Sequence, residues 1–242
     1  MTNEQAIYFE DVSYTAHGTA ILKQITGSFY KGKITTLIGP SGAGKTTLLK
    51  MCNGLLSAST GSIFIDGRGI DTYEPTSLRR HVGIALQSAP LLRTTVFENL
   101  ALPRKLQQQT LSIEEAFYFL NAVGLDNSFL TRPTADLSGG QKQKLSIART
   151  LINKPEILLL DEITSALDPK SVHEIEELII KINREFGTTI IWITHNIEQA
   201  KQIGQFTWLM KDGKLIESGE TKHVFTSPNT IVQQFLDGGD GA

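Results

Sequence analysis

One short segment restricts the fold of this chain more than any other. Residues 39–46, Gly-Pro-Ser-Gly-Ala-Gly-Lys-Thr, match the phosphate-binding pattern G-x-x-x-x-G-K-[ST]. The apolar run 34–38 before it predicts a buried strand, and residues 46–56 after it predict a helix. Glycines at this junction let backbone N–H groups converge on phosphate oxygens, where the helix N-terminus adds partial positive charge. The segment therefore predicts a phosphate-binding loop, in which Lys45 reaches the terminal phosphates and the Thr46 hydroxyl ligates magnesium.

Apolar strands and helices alternate along the rest of the chain. This alternation indicates an α/β fold with a mostly parallel sheet core, helices on both faces and an N-terminal antiparallel β edge. A helix that begins after Gly140 must stop before Pro155, because the proline ring does not fit a helix interior. The other predicted strands are 7–14, 21–29, 62–66, 82–86, 157–160 and 188–194, with a hairpin over 208–217, and the other predicted helices are 113–123 and 171–186.

The length of 242 residues is that of one large domain or two small ones. Between about residue 90 and residue 154 the pattern becomes mainly helical, with few β-branched runs. We interpret the chain as a single domain of residues 1–242. Its core is formed by residues 1–89 and 155–242, and a helical subdomain is inserted over about 90–154.

Charge and composition argue against several functions. Lysine and arginine number 23 against 25 acidic residues, so the net charge of −2 provides no strong field for nucleic acid, and no nucleic-acid partner is expected. The apolar runs are far shorter than the roughly 20 residues needed to cross a bilayer. The single cysteine, Cys52, allows no internal disulfide and is expected to be a packing residue. Because the N-terminus also lacks a signal sequence, the chain is expected in the cytoplasm.

Two carboxylates end the apolar strand 157–160. Asp161 and Glu162 follow it directly, at the strand end that lies beside the phosphate-binding loop in an open α/β sheet. Asp161 is suited to hold magnesium, and Glu162, which points differently, is suited to deprotonate or orient an attacking water. The alternative is that the strand simply ends in solvated acids.

A third motif, Leu-Ser-Gly-Gly-Gln at 137–141, precedes a helix for which Ser138 is a plausible N-cap. The order and short spacing of the three motifs resemble the ATP-binding-cassette (ABC) family over nearly the whole chain. The resemblance implies that Tyr14 stacks on adenine, that Gln87 links magnesium to a membrane partner, that Asp168 belongs to the D-loop, and that His195 contacts the γ-phosphate. It thus implies ATP and Mg²⁺ as cofactors, with Lys45, Glu162 and His195 catalytic and Thr46, Gln87 and Asp161 as metal ligands. The nucleotide contacts that it implies are Tyr14, Gly39, Pro40, Ser41, Gly42, Ala43, Gly44, Lys45, Thr46, Thr47, Gln87, Ser138, Gly139, Gly140, Gln141 and Asp168.

Each residue singled out by the resemblance also has an ordinary interpretation. Tyr14 could be a strand aromatic, Gln87 and His195 could be solvated loop residues, and Asp168 could be a plain helix cap. The chain also departs from the family pattern at Lys144, where relatives often carry arginine, and at Asn196, where aspartate is frequent. Lysine lacks the bidentate fork of arginine, so a weaker local ion network is expected.

The family sandwiches two ATP molecules between two cassettes, so the resemblance implies a homodimer at the cytoplasmic face of the membrane, bound to membrane-spanning permease subunits. A second helix N-terminus would supply donors to the γ-phosphate that one subunit lacks. The apolar residues between 87 and 97, Ala89, Pro90, Leu91, Leu92, Val96 and Phe97, are expected to dock the permease, although part of them could be core. The alternative is a cassette ATPase of DNA repair or translation; the first would split the motifs with a coiled coil and the second would be a tandem pair. The transported solute and the direction of transport stay open.

Overall fold

The computed structural model describes residues 3–88 and 90–238. Its strands are β1 (Gln5–Ala16), β2 (Thr19–Tyr30), β3 (Ile34–Ile38), β4 (Thr60–Ile65), β5 (Arg68–Gly69), β6 (Val82–Leu86), β7 (Ile157–Asp161), β8 (Thr189–Ile193), β9 (Phe206–Lys211) and β10 (Lys214–Glu220). Its helices are α1 (Lys45–Cys52), α2 (Pro75–His81), α3 (Val96–Lys105), α4 (Ile113–Ala122), α5 (Gly139–Leu151), α6 (Pro169–Phe186), α7 (Ile197–Ile203), α8 (Thr221–Phe225) and α9 (Thr230–Leu236).

A six-stranded sheet forms the centre of the molecule, in the order β10-β9-β3-β8-β7-β6. All neighbouring strands in it are parallel except β10, which is antiparallel to β9. Strands β3, β7 and β8 are buried along their whole length, as expected for parallel strands covered on both faces. The predicted mostly parallel core is confirmed. The carboxyl ends of β3, β6, β7 and β8 therefore meet at one edge of the sheet.

A second, antiparallel sheet has the order β2-β1-β4-β5 and confirms the predicted N-terminal β edge. Together with α1 it packs on one face of the parallel sheet through a shared apolar cluster. Within that cluster the rings of Phe29 in β2 and Trp208 in β9 lie 4.3 Å apart, centroid to centroid. Burial of such aromatic side chains joins the two sheets into one body.

Helices α3, α4 and α5 form the inserted helical part of the chain and pack against the other face of the parallel sheet. Their starts follow local capping rules. Thr95 and Ser138 each form a capping box with the residue three positions on, and Ser112 accepts a hydrogen bond from the N–H of Glu115. The helical insertion is confirmed as architecture, whereas its boundaries at 90 and 154 stay a prediction. Ala89 lies outside the described residues.

The structure corrects the predicted elements in two respects. The helix predicted over 46–56 ends at Cys52, because the chain turns at Gly54 with a positive φ of 67°. Helices α2, α7, α8 and α9 were not predicted, since each has only five to seven residues, too few to show a helical period. Helix α3, of ten residues, was expected only as part of the mainly helical segment, and it contains Pro103, which is unusual inside a helix. Cys52 is fully buried and burial raises the pKa of its thiol, which agrees with a packing role. In the described ranges, no helix is both long and apolar enough to cross a membrane.

Candidate nucleotide-binding site

The phosphate-binding loop leaves β3 after Ile38 and enters α1 at Lys45. At two positions of the loop the backbone conformation and the close neighbours require glycine. Gly39 has a φ of 144°, and a Cβ added there would overlap the carbonyl oxygen of Met210. Gly44 has a φ of 95°, and a Cβ added there would lie 2.7 Å from Cδ2 of Leu22. The loop therefore packs closely against Met210 and Leu22. Residues 41–47 border a cavity of about 500 Å³, a size suited to a small ligand.

Lys45 is folded back onto this loop. Its ammonium group donates hydrogen bonds of 2.7 and 2.8 Å to the carbonyl oxygens of Gly39 and Pro40, and the residue is only 5% exposed. Burial lowers the pKa of Lys45, whereas the negative charges of Glu162 and Asp161 act in the opposite direction. An anionic phosphate in the cavity would likewise favour the charged ammonium. The loop thus presents a desolvated cation whose charge a nucleotide would stabilise.

Thr46 and Asp161 form a pair of oxygen donors beside the loop. The Thr46 hydroxyl donates a 3.0 Å hydrogen bond to Oδ1 of Asp161, the last residue of β7. Burial raises the pKa of Asp161, and the bond from Thr46 partly counteracts that shift. A hydroxyl and a carboxylate at this spacing are the hard ligands that magnesium prefers. The residues present therefore fit the metal that the sequence implies.

Glu162 and His195 face each other across the ends of β7 and β8. Oε1 of Glu162 lies 2.7 Å from Nε2 of His195, and both residues border the cavity. Glu162 has a positive φ of 51°, an uncommon conformation for a residue with a side chain. Its N–H donates to the carbonyl oxygen of Ile193, which helps to hold this backbone in place. Strained residues of this kind cluster at functional sites.

Gln87 is connected to Glu162 through an intermediate residue. The amide of Gln87, just beyond β6, donates a 2.8 Å hydrogen bond to the hydroxyl of Ser165, which donates to the carbonyl oxygen of Glu162 at 2.9 Å. Gln87 itself does not border the cavity. The sequence did not indicate that Ser165 joins the two, since serine in a loop carries no specific signal.

Four residues of the third motif lie at the start of α5 and do not border the cavity of their own chain: Ser138, Gly139, Gly140 and Gln141. Ser138 is the N-cap, as predicted, and its capping box occupies the Gln141 side chain. Asp168 likewise lies outside the cavity. Its carboxylate accepts from the N–H and the hydroxyl of Ser171, which lowers its pKa and makes it the N-cap of α6.

Tyr14 is half-buried against the core formed by the antiparallel sheet and does not line the cavity. Part of the cavity wall was not predicted from the sequence. The backbone of β2 is held to the turn between β9 and β10 by a bond from the Lys23 N–H to the Gly213 carbonyl oxygen. Only this long-range pairing brings the two segments to the loop, so no local pattern could have revealed them. The wall residues that were missed are Thr19, Ala20, Ile21, Lys23, Asp212 and Gly213.

A glycine loop between a central parallel strand and a helix, with acids at the end of a nearby strand of the same sheet, defines a P-loop ATPase cassette. The family model described as "ABC transporter" matches residues 22–165, more than half of the chain. The chain therefore belongs to the ABC transporter family and is an ATP-binding subunit of that family.

Three similar proteins illustrate the relationship. The chain is 46% identical to a putative ABC transporter ATP-binding protein, YjkB, of Bacillus subtilis (strain 168), over 98% of this chain and 96% of that protein. It superposes with a TM-score of 0.84 on cbiO1 from Clostridium perfringens, described as part of the ABC transporter complex cbiONQ, at 31% identity over 96% and 95% of the two chains. The cassette MJ0796, solved as a dimer in a post-hydrolysis state bound to ADP and Pi, gives a TM-score of 0.76 at 30% identity, over 89% of this chain and 98% of that one.

Proposed function

We propose that this chain hydrolyses ATP at the cytoplasmic face of the membrane and thereby drives solute transport through separate membrane-spanning subunits. One observation carries the proposal. The phosphate-binding loop, the Thr46–Asp161 pair and the Glu162–His195 pair all lie at the same edge of the parallel sheet, beside one cavity. The membership of this chain in the ABC transporter family supports the coupling of ATP hydrolysis to transport.

The residues at this cavity have separate roles in ATP hydrolysis. Glu162 takes a proton from water as the water oxygen bonds to the γ-phosphorus, and the bond from that phosphorus to the ADP oxygen breaks. His195 holds the Glu162 carboxylate in position from 2.7 Å away. Lys45 and the loop N–H groups stabilise the charge that develops on the phosphate oxygens. When bound, magnesium would neutralise phosphate charge, and the Thr46 hydroxyl and Asp161 carboxylate would hold it, with Gln87 as a further ligand.

We also propose that the working form is a homodimer. Ser138, at the N-terminus of α5, does not border the cavity of its own chain, and neither does Asp168. A second copy could present its Ser138 hydroxyl and α5 N-terminus to the γ-phosphate. The dimeric cassette among the structural neighbours supports this arrangement. In the same proposal Tyr14 contacts adenine at the margin of the site.

The proposed docking surface for the membrane subunits lies around Leu92. This side chain is 45% exposed, yet its backbone is fixed, because the buried Asn99 side chain accepts from the Leu92 N–H at 2.8 Å and donates to its carbonyl oxygen at 3.0 Å. Other apolar residues of the segment belong to the core: Val96 is fully buried, and Leu91 and Phe97 pack partly against it. The surface is therefore narrower than the sequence indicated. A rigid, exposed leucine is suited to contact a helix of a partner.

The coupling can be tested with Leu92→Asp and a matched control, Leu106→Asp, at a leucine of the same helical part that is 77% exposed. The tagged chain is purified from detergent-solubilised membranes of its own cells, and co-purifying membrane-spanning proteins are identified. We expect Leu92→Asp to lose them while it keeps ATP affinity and thermal stability, and Leu106→Asp to retain them. If Leu92→Asp keeps its partner, docking occurs elsewhere. If the wild type brings down no membrane-spanning protein, the transport proposal fails.

A further inference from the structure

A second cavity, of about 640 Å³, lies at the opposite end of the parallel sheet from the phosphate-binding loop. It borders Ile157 and Thr189, the first residues of β7 and β8, whereas the loop follows the last residue of the parallel strand β3. Residues of helix α4 and of the end of α6 also line it. The volume falls within the range of small-molecule sites. No part of the proposed ATPase mechanism uses this cavity.

Aromatic side chains form much of its wall. Tyr118 is 53% exposed and Phe186 is 44% exposed, while Phe119, which also lines the cavity, is buried. Leu151 and Pro155 add further apolar surface. Large apolar side chains exposed around a concavity mark a place where an apolar ligand would be shielded from water.

Most charges at the cavity are already neutralised by neighbours. Lys31 lies 3.0 Å from Asp66 and 2.6 Å from Glu4, and its pKa is raised by these hydrogen bonds. Oδ2 of Asp66 also lies 2.7 Å from Nε2 of His81. Glu115 pairs with Arg104 at 2.6 Å. These contacts leave the cavity with few groups free to bind a charged ligand.

Two polar groups of the wall are free. Among residues 3–88 and 90–238, the ammonium of Lys154 has no ion pair or hydrogen bond, and it stands on a backbone with a positive φ of 49°. Thr188 is only 4% exposed as a residue, but its hydroxyl is accessible to solvent and forms no hydrogen bond within the same part of the chain. A solvent-accessible hydroxyl at a cavity wall can donate a hydrogen bond to a ligand as well as to water. Glu156 also borders the cavity, but its carboxylate is 73% exposed and lies 3.8 Å from Nδ1 of His81. Because Lys154 is exposed too, solvent screens both the attraction of Lys154 for an anion and the repulsion by Glu156.

We propose that this cavity binds a small amphipathic anion. Its apolar body, of aromatic-ring size, would lie between Tyr118 and Phe186, and its carboxylate or similar acid group would accept hydrogen bonds from Lys154 and Thr188. Because α4 and the first residues of β7 and β8 both border the cavity, the ligand would contact the helical insertion and the sheet at once. The binding is independent of ATP, since the phosphate-binding loop lies at the other end of the sheet.

The test uses the full chain and the fluorescent probe 8-anilinonaphthalene-1-sulfonate, an aromatic ring system with one anionic group. We expect one saturable site per chain, unaffected by excess Mg-ATP. Lys154→Gln should weaken binding about threefold, the effect of losing one solvent-screened ionic hydrogen bond, and Phe186→Ser should weaken it as well. The matched controls are Lys170→Gln, whose side chain is 87% exposed, and Leu106→Ser, which removes an exposed leucine outside the cavity.

Thermal unfolding of each variant shows whether it is folded before its affinity is compared. Phe186 is the last residue of α6, so Lys154→Gln, at an exposed side chain, remains the deciding variant if Phe186→Ser unfolds. Equal affinity of the wild type and Lys154→Gln would overturn the proposal. Displacement of the probe by Mg-ATP would overturn it too, because the probe would then occupy the nucleotide site.

Discussion

Replacing Glu162 by glutamine separates ATP binding from the chemistry of hydrolysis. The two side chains have the same shape, and the backbone at this position is held by the bond from its N–H to Ile193, so the substitution leaves the loop and cavity intact. The amide keeps an oxygen toward His195, whose Nε2 lies 2.7 Å from the present carboxylate, but it cannot accept the proton of water. Loss of a general base costs about 10²–10⁴-fold in rate, or roughly 3–5 kcal/mol of barrier. We therefore expect turnover to fall by that factor while ATP still binds.

Phosphate release from Mg-ATP measures turnover, and equilibrium titration with ATP measures binding. ATP-loaded dimers of Glu162→Gln should accumulate on gel filtration, because the nucleotide that holds the two copies together is no longer consumed. Glu156→Gln is the matched control. It lies just before the other end of β7, its carboxylate is 73% exposed, and it does not border the nucleotide cavity.

Unchanged turnover in a folded Glu162→Gln protein would refute the assignment of Glu162 as the base. A loss of ATP affinity as large as the loss of turnover would refute it in another way, since the carboxylate would then act in binding. An equal loss in Glu156→Gln would show that the effect does not depend on the position of the carboxylate at the cavity.

The remaining predictions concern the dimer and the metal-binding edge. Ser138→Arg and Lys45→Ala should each be inactive alone, and mixing the two should recover part of the phosphate release because one site of the mixed dimer is intact; no recovery in mixed dimers verified by differential tagging would contradict action in trans. Asp161→Asn should lose Mg-dependent hydrolysis yet gain thermal stability without nucleotide, because burial raises the pKa of Asp161 in the folded chain. A carboxyl whose pKa is higher in the folded chain than in the unfolded chain binds more protons in the folded state, so its contribution to stability falls as pH rises above about 4. The difference in Tm between the variant and the wild type should therefore grow between about pH 4 and pH 7. A difference in Tm that does not change with pH would contradict the raised pKa of Asp161.

The sequence by itself determined the elements that rest on local patterns. Residues 39–46 specify the loop because each glycine, lysine and threonine there has a distinct chemical requirement. The mainly apolar strands β3, β7 and β8 are typical of buried parallel strands. Asp161 and Glu162 were found because they follow such a strand. Ser138 was identified as an N-cap from its own position before a helix.

Only the tertiary structure decided how the distant segments meet. The pairing of Glu162 with His195 and the connection from Gln87 through Ser165 depend on the sheet order β8-β7-β6, which no local period encodes. The cavity wall from β2 and the turn at Gly213 depends on a contact between segments far apart in the chain. The short helices α2 and α7 were not predicted, because a helix of seven residues is stabilised by packing and by its cap more than by its own sequence. Local chemistry thus identified the reacting groups, whereas long-range packing fixed which of them one chain brings together.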